Sequence, residues 1–455
     1  MTATFRFRVP APRLVAYAFL ITVFLILSSK LGVTVPTVVP DSPGYTDFAW
    51  SFPELLAQKR TFGYPLYLAI TNAVFGSDQW VGWGHAVIFA AAAIWFAECV
   101  SDQNRIRLAV VIGLLGSNIY WLHAYTIATD TVAASMGLMT VAWTVRLIKH
   151  RNGWTGSAVV LFAGIAWCVR PAMLAVIPAA VAIDFFLTVR GYRQADTPGG
   201  SRPKLILQSL LQSSRLLLFL CLPVLLFCGL RFATLGKFGI VSFGGYNLIG
   251  LVGQFPLADD VNLSSEDAAA VQRNAARRKL EFPANFGDLP MMNYTRLEAN
   301  YDTAIWQWYA PAAVEVLGDD PTRVNSTLRA MGSEILRNSY RDYLVWLAKA
   351  FRQAVRRTLD DLAESPMGLT AIILLTGAIL IRGRWPSPNL IPLATVCVIY
   401  WGALIGLTIL VCPPLSRMTD AAAVFFPATI LACAVDIAWR NEPDAAACPP
   451  PPKVP

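Results

Sequence analysis

The sequence predicts an all-α polytopic membrane protein with about ten transmembrane helices of roughly 20 residues and one sizeable hydrophilic segment on the outer face. Three observations predict it. Hydrophobic residues make up 55% of the 455-residue chain and charged residues 15%, with a mean hydropathy of +0.50. That charge is too sparse to cover a soluble surface of this size. Apolar runs near span length recur along the chain, and Lys and Arg collect in alternate connections between them, as the positive-inside rule requires. The net charge of +8 therefore reflects topology and not a nucleic-acid partner.

The expected span cores are 14–31, 80–99, 106–124, 130–148, 155–169, 171–189, 215–235, 367–382, 389–411 and 419–438. The first follows the basic "MTATFRFRVPAPR" and is read as an uncleaved helix, because its apolar run is long enough to span and no small-residue cleavage site follows. "GYPLYLAITNAVFG" (63–76) is an additional short or re-entrant helix. With both termini cytoplasmic, the inner connections "SDQNRIR", "RLIKHRNG", "RGYRQADTPGGSRPK" and "RGR" all carry Lys or Arg. The outer surface then receives residues 32–79, "HAYTIATD", "VRP", 236–366 and "CPPLSRMTD". The chain thus divides into a transmembrane module (1–235) containing the outer loop 32–79, an outer-face segment (236–366), C-terminal helices (367–440) and a disordered proline-rich tail (441–455). Within the outer segment, Leu336, Tyr340, Tyr343, Leu344 and Leu347 recur at helical spacing beside a basic face. Such a stripe packs on the membrane domain or lies at the lipid interface. The eight cysteines lie mostly in apolar runs without C-x-x-C spacing and read as small hydrophobes, with no disulfide framework or metal site.

This topology gathers unusual charges on one face. Asp41 and Asp47 sit in a turn-rich loop just above a span, beside Glu54, Lys59, Arg60 and the aromatic residues Tyr45, Phe48, Trp50, Phe52, Phe62 and Tyr64. A solvated acidic loop is the plain alternative. Asp130 stands at the outer entrance of a span, where a carboxylate is costly unless it is paired or faces a cavity. An N-cap role suits it equally. Arg170, Arg231, Lys237 and Arg417 lie outside, against the topological bias. Snorkelling to lipid phosphate explains any one of them. Together, on the face that bears Asp41, they suggest a shared anionic ligand, and the guanidinium fork suits the phosphate of a lipid head group. The scattered histidines His85, His123 and His150 predict no His metal site. The sequons at Asn293 and Asn325 are treated as chance.

The order "PDSPGYTD", "RTFGYPLYLAITNAVFG", "TIATDTVAA", "VRPAM" and "SRMTDAAAVFFPATIL" resembles the GT-C membrane glycosyltransferases, which take sugars from polyprenyl-phosphate carriers. That superfamily includes protein O-mannosyltransferases and the bacterial enzyme that adds aminoarabinose to lipid A. The resemblance covers about 1–190 and 367–440. It implies Asp41 as catalytic base, Asp130 as the second acid, and Arg170 and Arg417 on the carrier phosphate, with Arg231 and Lys237 as further phosphate candidates. Asp47, Tyr45, Arg60 and Tyr64 become candidates for positioning donor or acceptor. Asp41 is followed by Ser42, not by a second acid, and Tyr64–Pro65 replaces a charged residue before paired prolines. Both departures point away from the protein mannosyltransferases. The implied partners are a polyprenyl-phosphate sugar, a lipid, glycan or protein acceptor, and membrane lipids, at a bacterial plasma membrane with the site outside. No cofactor is required, although Asp41 and Asp130 are able to share a divalent cation. The rival expectation is a transporter or flippase for a lipid-linked substrate, and the third is a non-enzymatic assembly protein.

Overall fold

A computed structural model describes residues 10–194 and 202–440. The first nine residues, the basic connection around 195–201 and the tail 441–455, where a disordered end is expected, lie outside the described residues. The described chain is helical. Its extended pairing is one isolated bridge between Thr37 and Thr126.

Seven helices are long and apolar enough to cross a membrane: Ala11–Lys30, Asp78–Val100, Asp130–Lys149, Pro171–Gly191, Leu205–Leu235, Pro388–Ile409 and Ser416–Trp439. An eighth arises if Tyr340–Glu364 and Pro366–Arg382, bent by 84° where they meet, count as one span. This is a polytopic membrane protein, with fewer full-length spans than the ten expected. Two expected cores do not reach full span length. Residues 106–124 break into Asn104–Leu115 and a turn, Asn118–Trp121, because Ser117 adopts extended backbone between them. Residues 155–169 form the 17-residue helix Gly153–Val169. The short helix expected at 63–76 is present as Gly63–Phe75, ended by Gly76 with φ 71°, a left-handed conformation that favours glycine.

Burial orders the bundle. The best apolar window of the 130–149 helix is 78% buried, whereas those of 11–30 and 205–235 are 17% and 22% buried. The first is therefore the central helix, and the other two present leucine and phenylalanine outward, as lipid-facing helices do. Asp184 accepts from Ser213 at 2.7 Å and pairs with Arg151 at 2.9 Å, satisfying an otherwise costly buried carboxylate.

Segment 236–366 is also helical, with Gly244–Val252, Glu266–Glu281, Ala310–Leu317 and Pro321–Asn338 as its main elements. Ser265 and Asp320 cap the second and fourth by accepting from Ala268 N and Thr322 N. Its apolar residues belong to the same continuous core as the membrane helices. The expected stripe over 336–347 spans two helices, not one, since the helix ends at Asn338 and restarts at Tyr340. Leu336, Tyr343 and Leu347 pack on the core, while Tyr340 and Leu344 are exposed. The second helix is docked on a span: the Tyr343 hydroxyl donates to Leu410 O at 2.8 Å and Trp346 Nε1 to Ile409 O at 2.8 Å.

Candidate functional site

The first loop is laced to the connection that precedes the central helix. Thr37 N donates to Tyr125 O at 2.6 Å, Ile127 N to Thr37 O at 2.9 Å, and the Ser42 hydroxyl to Ile127 O at 2.8 Å. Ser42 also accepts from Val39 N at 2.9 Å, which closes the turn carrying Asp41. Three residues after Ile127 comes Asp130, the first residue of the central helix. The loop's local hydrogen bonds thus set two carboxylates beside one cavity.

Asp41 lies between two guanidinium groups, with Arg60 Nη2 at 2.6 Å from Oδ1 and Arg417 Nη1 at 3.0 Å from Oδ2. Burial pushes the Asp41 carboxyl up, but Arg60 and Arg417 outweigh it and hold the group below its ordinary value of 3.8. Arg60 also stacks over Tyr45, 5.3 Å from its ring centroid. Asp130, buried, pairs with Arg170, the residue at which Gly153–Val169 ends. Arg170 reaches it because that helix docks closely on the short one: a Cβ added to Gly63 would lie 2.5 Å from the Cys168 backbone, so only glycine permits the approach.

These groups line a cavity of about 400 Å³. Asp41, Tyr45, Arg60, Asp130, Arg170 and Arg417 all border it, from sequence positions as far apart as 41 and 417. Lys59 and Asp302 add one charge of each sign, so four cations face three carboxylates. Desolvation raises the Asp302 carboxyl above its ordinary value, with Arg417 opposing the shift. The lining also has an aliphatic part, with Leu407, Leu410, Val411, Leu415 and Met418. A second, open cavity of about 810 Å³ adjoins the first, sharing Asp41, Lys59, Arg60, Phe243 and Trp306 with it.

Four expected site residues fall outside both cavities. Arg231 is buried and donates to Leu56 O at 2.8 Å, Gly239 O at 2.5 Å and Ser242 Oγ at 2.9 Å. Its donors fasten the first loop to the connection after the 205–235 helix, so it is corrected from phosphate ligand to structural clamp. Lys237 is exposed beyond the cavity lining. Asp47 is exposed and accepts from Thr46 Oγ1 at 3.1 Å. Tyr64 is buried behind Tyr45, edge-on at 5.1 Å, with its hydroxyl 3.2 Å from His85 Nε2. His85 Nδ1 lies 2.7 Å from Ala124 O, which makes Nδ1 the donor and Nε2 the acceptor for Tyr64. Tyr64 therefore supports the Tyr45 wall from behind. His123 meets Asp420 at 2.9 Å rather than Asp130.

Segment 236–366 supplies lining residues that the sequence reading missed. Phe243, Asn247, Tyr301, Asp302 and Trp306 all reach the inner cavity. The Tyr301 hydroxyl is 3.1 Å from Val411 O and 3.2 Å from Asn247 Oδ1, joining this segment to the end of a span. Trp306 sits on a π-helical turn, Ala304–Tyr309, a local irregularity frequent at functional sites. The available signal was the aromatic density of "NYDTAIWQWY" around an acid in a polar segment.

Among the described residues no group of three His, Cys, Asp or Glu side chains is placed to hold a metal ion. A cation shared by Asp41 and Asp130 would have to displace guanidinium groups from both. Neither a family model nor a curated protein matches the chain.

Proposed function

We propose that this chain is an integral-membrane glycosyltransferase of GT-C type, which moves a sugar from a polyprenyl-phosphate carrier to an acceptor hydroxyl at the outer face of a bacterial plasma membrane. The observation that carries the reading is Asp41, a carboxylate at a cavity whose lining includes Arg170, Arg417 and a set of aliphatic side chains. A lipid-linked sugar phosphate needs those three parts together: a base, cations for the departing phosphate and an apolar surface for the first carrier units.

In the proposed reaction Asp41 takes the proton of the acceptor hydroxyl as its oxygen bonds to the anomeric carbon. The bond from that carbon to the phosphate oxygen breaks, and its electron pair leaves with polyprenyl phosphate. Arg417 and Arg170 face the charge that grows on this leaving group. A single carboxylate on the attacking side implies inversion, by analogy with single-displacement glycosidases. The surplus of cations suits a phosphodiester anion. Its arrival draws Arg417 from Asp41, which raises the basicity of the carboxylate when it is needed.

Ten traverses of the bilayer are part of this proposal. Arg13, Arg107 and Glu98 join one end of the bundle, and Asp130 pairs with Arg170 at the other. Residues 104–121 run from the first end to the second, as does 153–169, which supports counting both as short spans. A transporter would need ionisable groups lining a path at the bilayer midplane, whereas the cavity collects them at helix ends.

Asp41→Asn keeps the shape and removes the base. It is expected to lower transfer by at least ~10²-fold with normal insertion, read by mass spectrometry of envelope glycolipids, glycans and proteins against a deletion strain. Full restoration of the missing glycosyl mass by this variant refutes the assignment.

A further inference from the structure

We infer that the open 810 Å³ vestibule in front of Asp41 is a carbohydrate subsite, in which a pyranose ring of the acceptor lies on the face of Trp306. The inference rests on the proposed glycosyl transfer and specifies its acceptor as a glycan.

The two cavities differ in a way that sorts their ligands. The inner one is walled by Val241, Ile305, Leu407, Leu410, Val411 and Met418 among others. The vestibule has no Leu, Ile, Val or Met among its described lining residues. Its wall is built from Trp306, Phe243, Pro40, Pro321 and the polar side chains of Glu54, Gln58, Lys59 and Arg60. A carrier tail finds its aliphatic surface inside, whereas the apolar surface of the vestibule is aromatic, proline and alanine.

The aromatic part is preformed. Phe243 stacks on Tyr246 at 5.4 Å and 16°, and on Trp306 at 6.1 Å and 29°, giving a set of near-parallel rings. Trp306 is nonetheless 46% exposed. Lys59 Nζ lies 5.2 Å from the Tyr246 centroid and 5.9 Å from that of Trp306, so a cation already rests against the cluster and fixes its geometry. A pyranose presents an apolar C–H face for such a ring and equatorial hydroxyls around its rim. Glu54 accepts from hydroxyls, Gln58 both donates and accepts, and Lys59 donates. These three side chains line the same cavity as Trp306 and Asp41. An extended peptide that binds by strand addition would need a free strand edge, and none of the described lining residues lies on a strand. Trp306, Phe243 and Asp41 all border both cavities, so a sugar stacked there shares its cavity with the carboxylate.

The test uses the full chain in lipid nanodiscs without donor. Saturation-transfer difference NMR is run with a panel of methyl disaccharides of mannose, glucose, galactose, arabinose and N-acetylglucosamine, and with a Ser/Thr-containing peptide. At least one disaccharide is expected to receive saturation, to keep it with Asp41→Asn and Trp306→Phe, and to lose it with Trp306→Ala. Because Asp41→Asn binds but does not transfer, failure of the chemistry and failure of the subsite are read separately. Saturation of the peptide alone, of no disaccharide, or of disaccharides undiminished by Trp306→Ala overturns the inference. Should Trp306→Ala fail to assemble, loss of the signal with Lys59→Ala together with Glu54→Gln decides the same point, and its retention overturns it.

Discussion

Burial alone would make Asp41 a weaker acid, and its two arginines make it a stronger one; the arginines prevail. The sign of this balance has consequences. A carboxyl whose folded value is depressed contributes stability above its unfolded value and loses it as pH falls through the folded one. A base with a depressed value likewise stays ionised further into acid. The acid limb of kcat/KM, which reports the free enzyme, is therefore expected below the ordinary carboxyl value of 3.8. Arg417→Gln removes one of the two opposing cations and leaves burial in place, so the same limb should rise. The variant also loses a donor to the leaving phosphate, at a cost of about 10²-fold or more in kcat. A pH profile that does not move, measured alongside reduced kcat, would place Arg417 on the phosphate alone. Arg417→Lys should not rescue, because an ammonium cannot reach carboxylate and phosphate as a planar fork does.

Among the elements, the helix 340–364 has the most distinctive surface. One side is pinned to the end of the 388–409 span by Tyr343, Trp346 and Thr358, the last accepting from Trp401 Nε1 at 2.9 Å. An adjacent side exposes Tyr340, Leu344, Phe351 and Leu359, beside the exposed Arg341, Arg352 and Arg356. An apolar stripe edged by arginine, on a helix bent 84° from the apolar helix that follows, has the form of an interfacial helix. Spin labels at Phe351 and Leu359 should be relaxed by oxygen, which concentrates in lipid, and labels at Arg352 and Arg356 by a water-soluble nickel chelate. Equal access of the nickel chelate to all four positions would remove the helix from the interface. The stripe was visible in the sequence because spacing alone reports a helix face. The break at Ser339 was not, since Ser339 is an ordinary residue whose conformation is set by the packing on either side. The same holds at Ser117, where hydropathy runs on through a turn. Asp41, Asp130, Arg170 and Arg417 were legible for a different reason: charge at a span end is costly, so it is conspicuous. Trp306 and Tyr301 were hidden because no hydropathy cost marks an aromatic residue in a polar segment.

At the scale of the molecule, arginines at the end away from the cavity pair with carboxylates, as Arg13, Arg107 and Arg151 do, and also cap carbonyls. Away from the cavity, arginines satisfy the carbonyls that helix ends leave unpaired: Arg105 donates to Trp439 O at 3.0 Å, Arg382 to Ala438 O at 3.1 Å, and Arg384 to Ile437 O at 2.8 Å. Arg190 reaches Pro388 O at 2.9 Å on the same side. At the cavity end, Arg60, Arg170 and Arg417 are paired with carboxylates. The proposed transfer places the capped end in the cytoplasm and the cavity outside, the orientation that the positive-inside rule predicts from the sequence. Single cysteines at Arg105, Arg190 and Arg384, in a background where the native cysteines are replaced, should resist an impermeant maleimide in intact cells and react after permeabilisation. Cysteines at Glu54 and Trp306 should react in intact cells. Adding a cysteine at Asn152 and one at His123 tests the short helices between these ends, since 153–169 and 104–121 cross the bilayer only if Asn152 labels from inside and His123 from outside. Labelling of both from one side would remove those two traverses. The inverse pattern at Arg384 and Trp306 would put the cavity in the cytoplasm, where a carrier-linked sugar destined for the envelope is not consumed, and the proposed transfer would lose its setting.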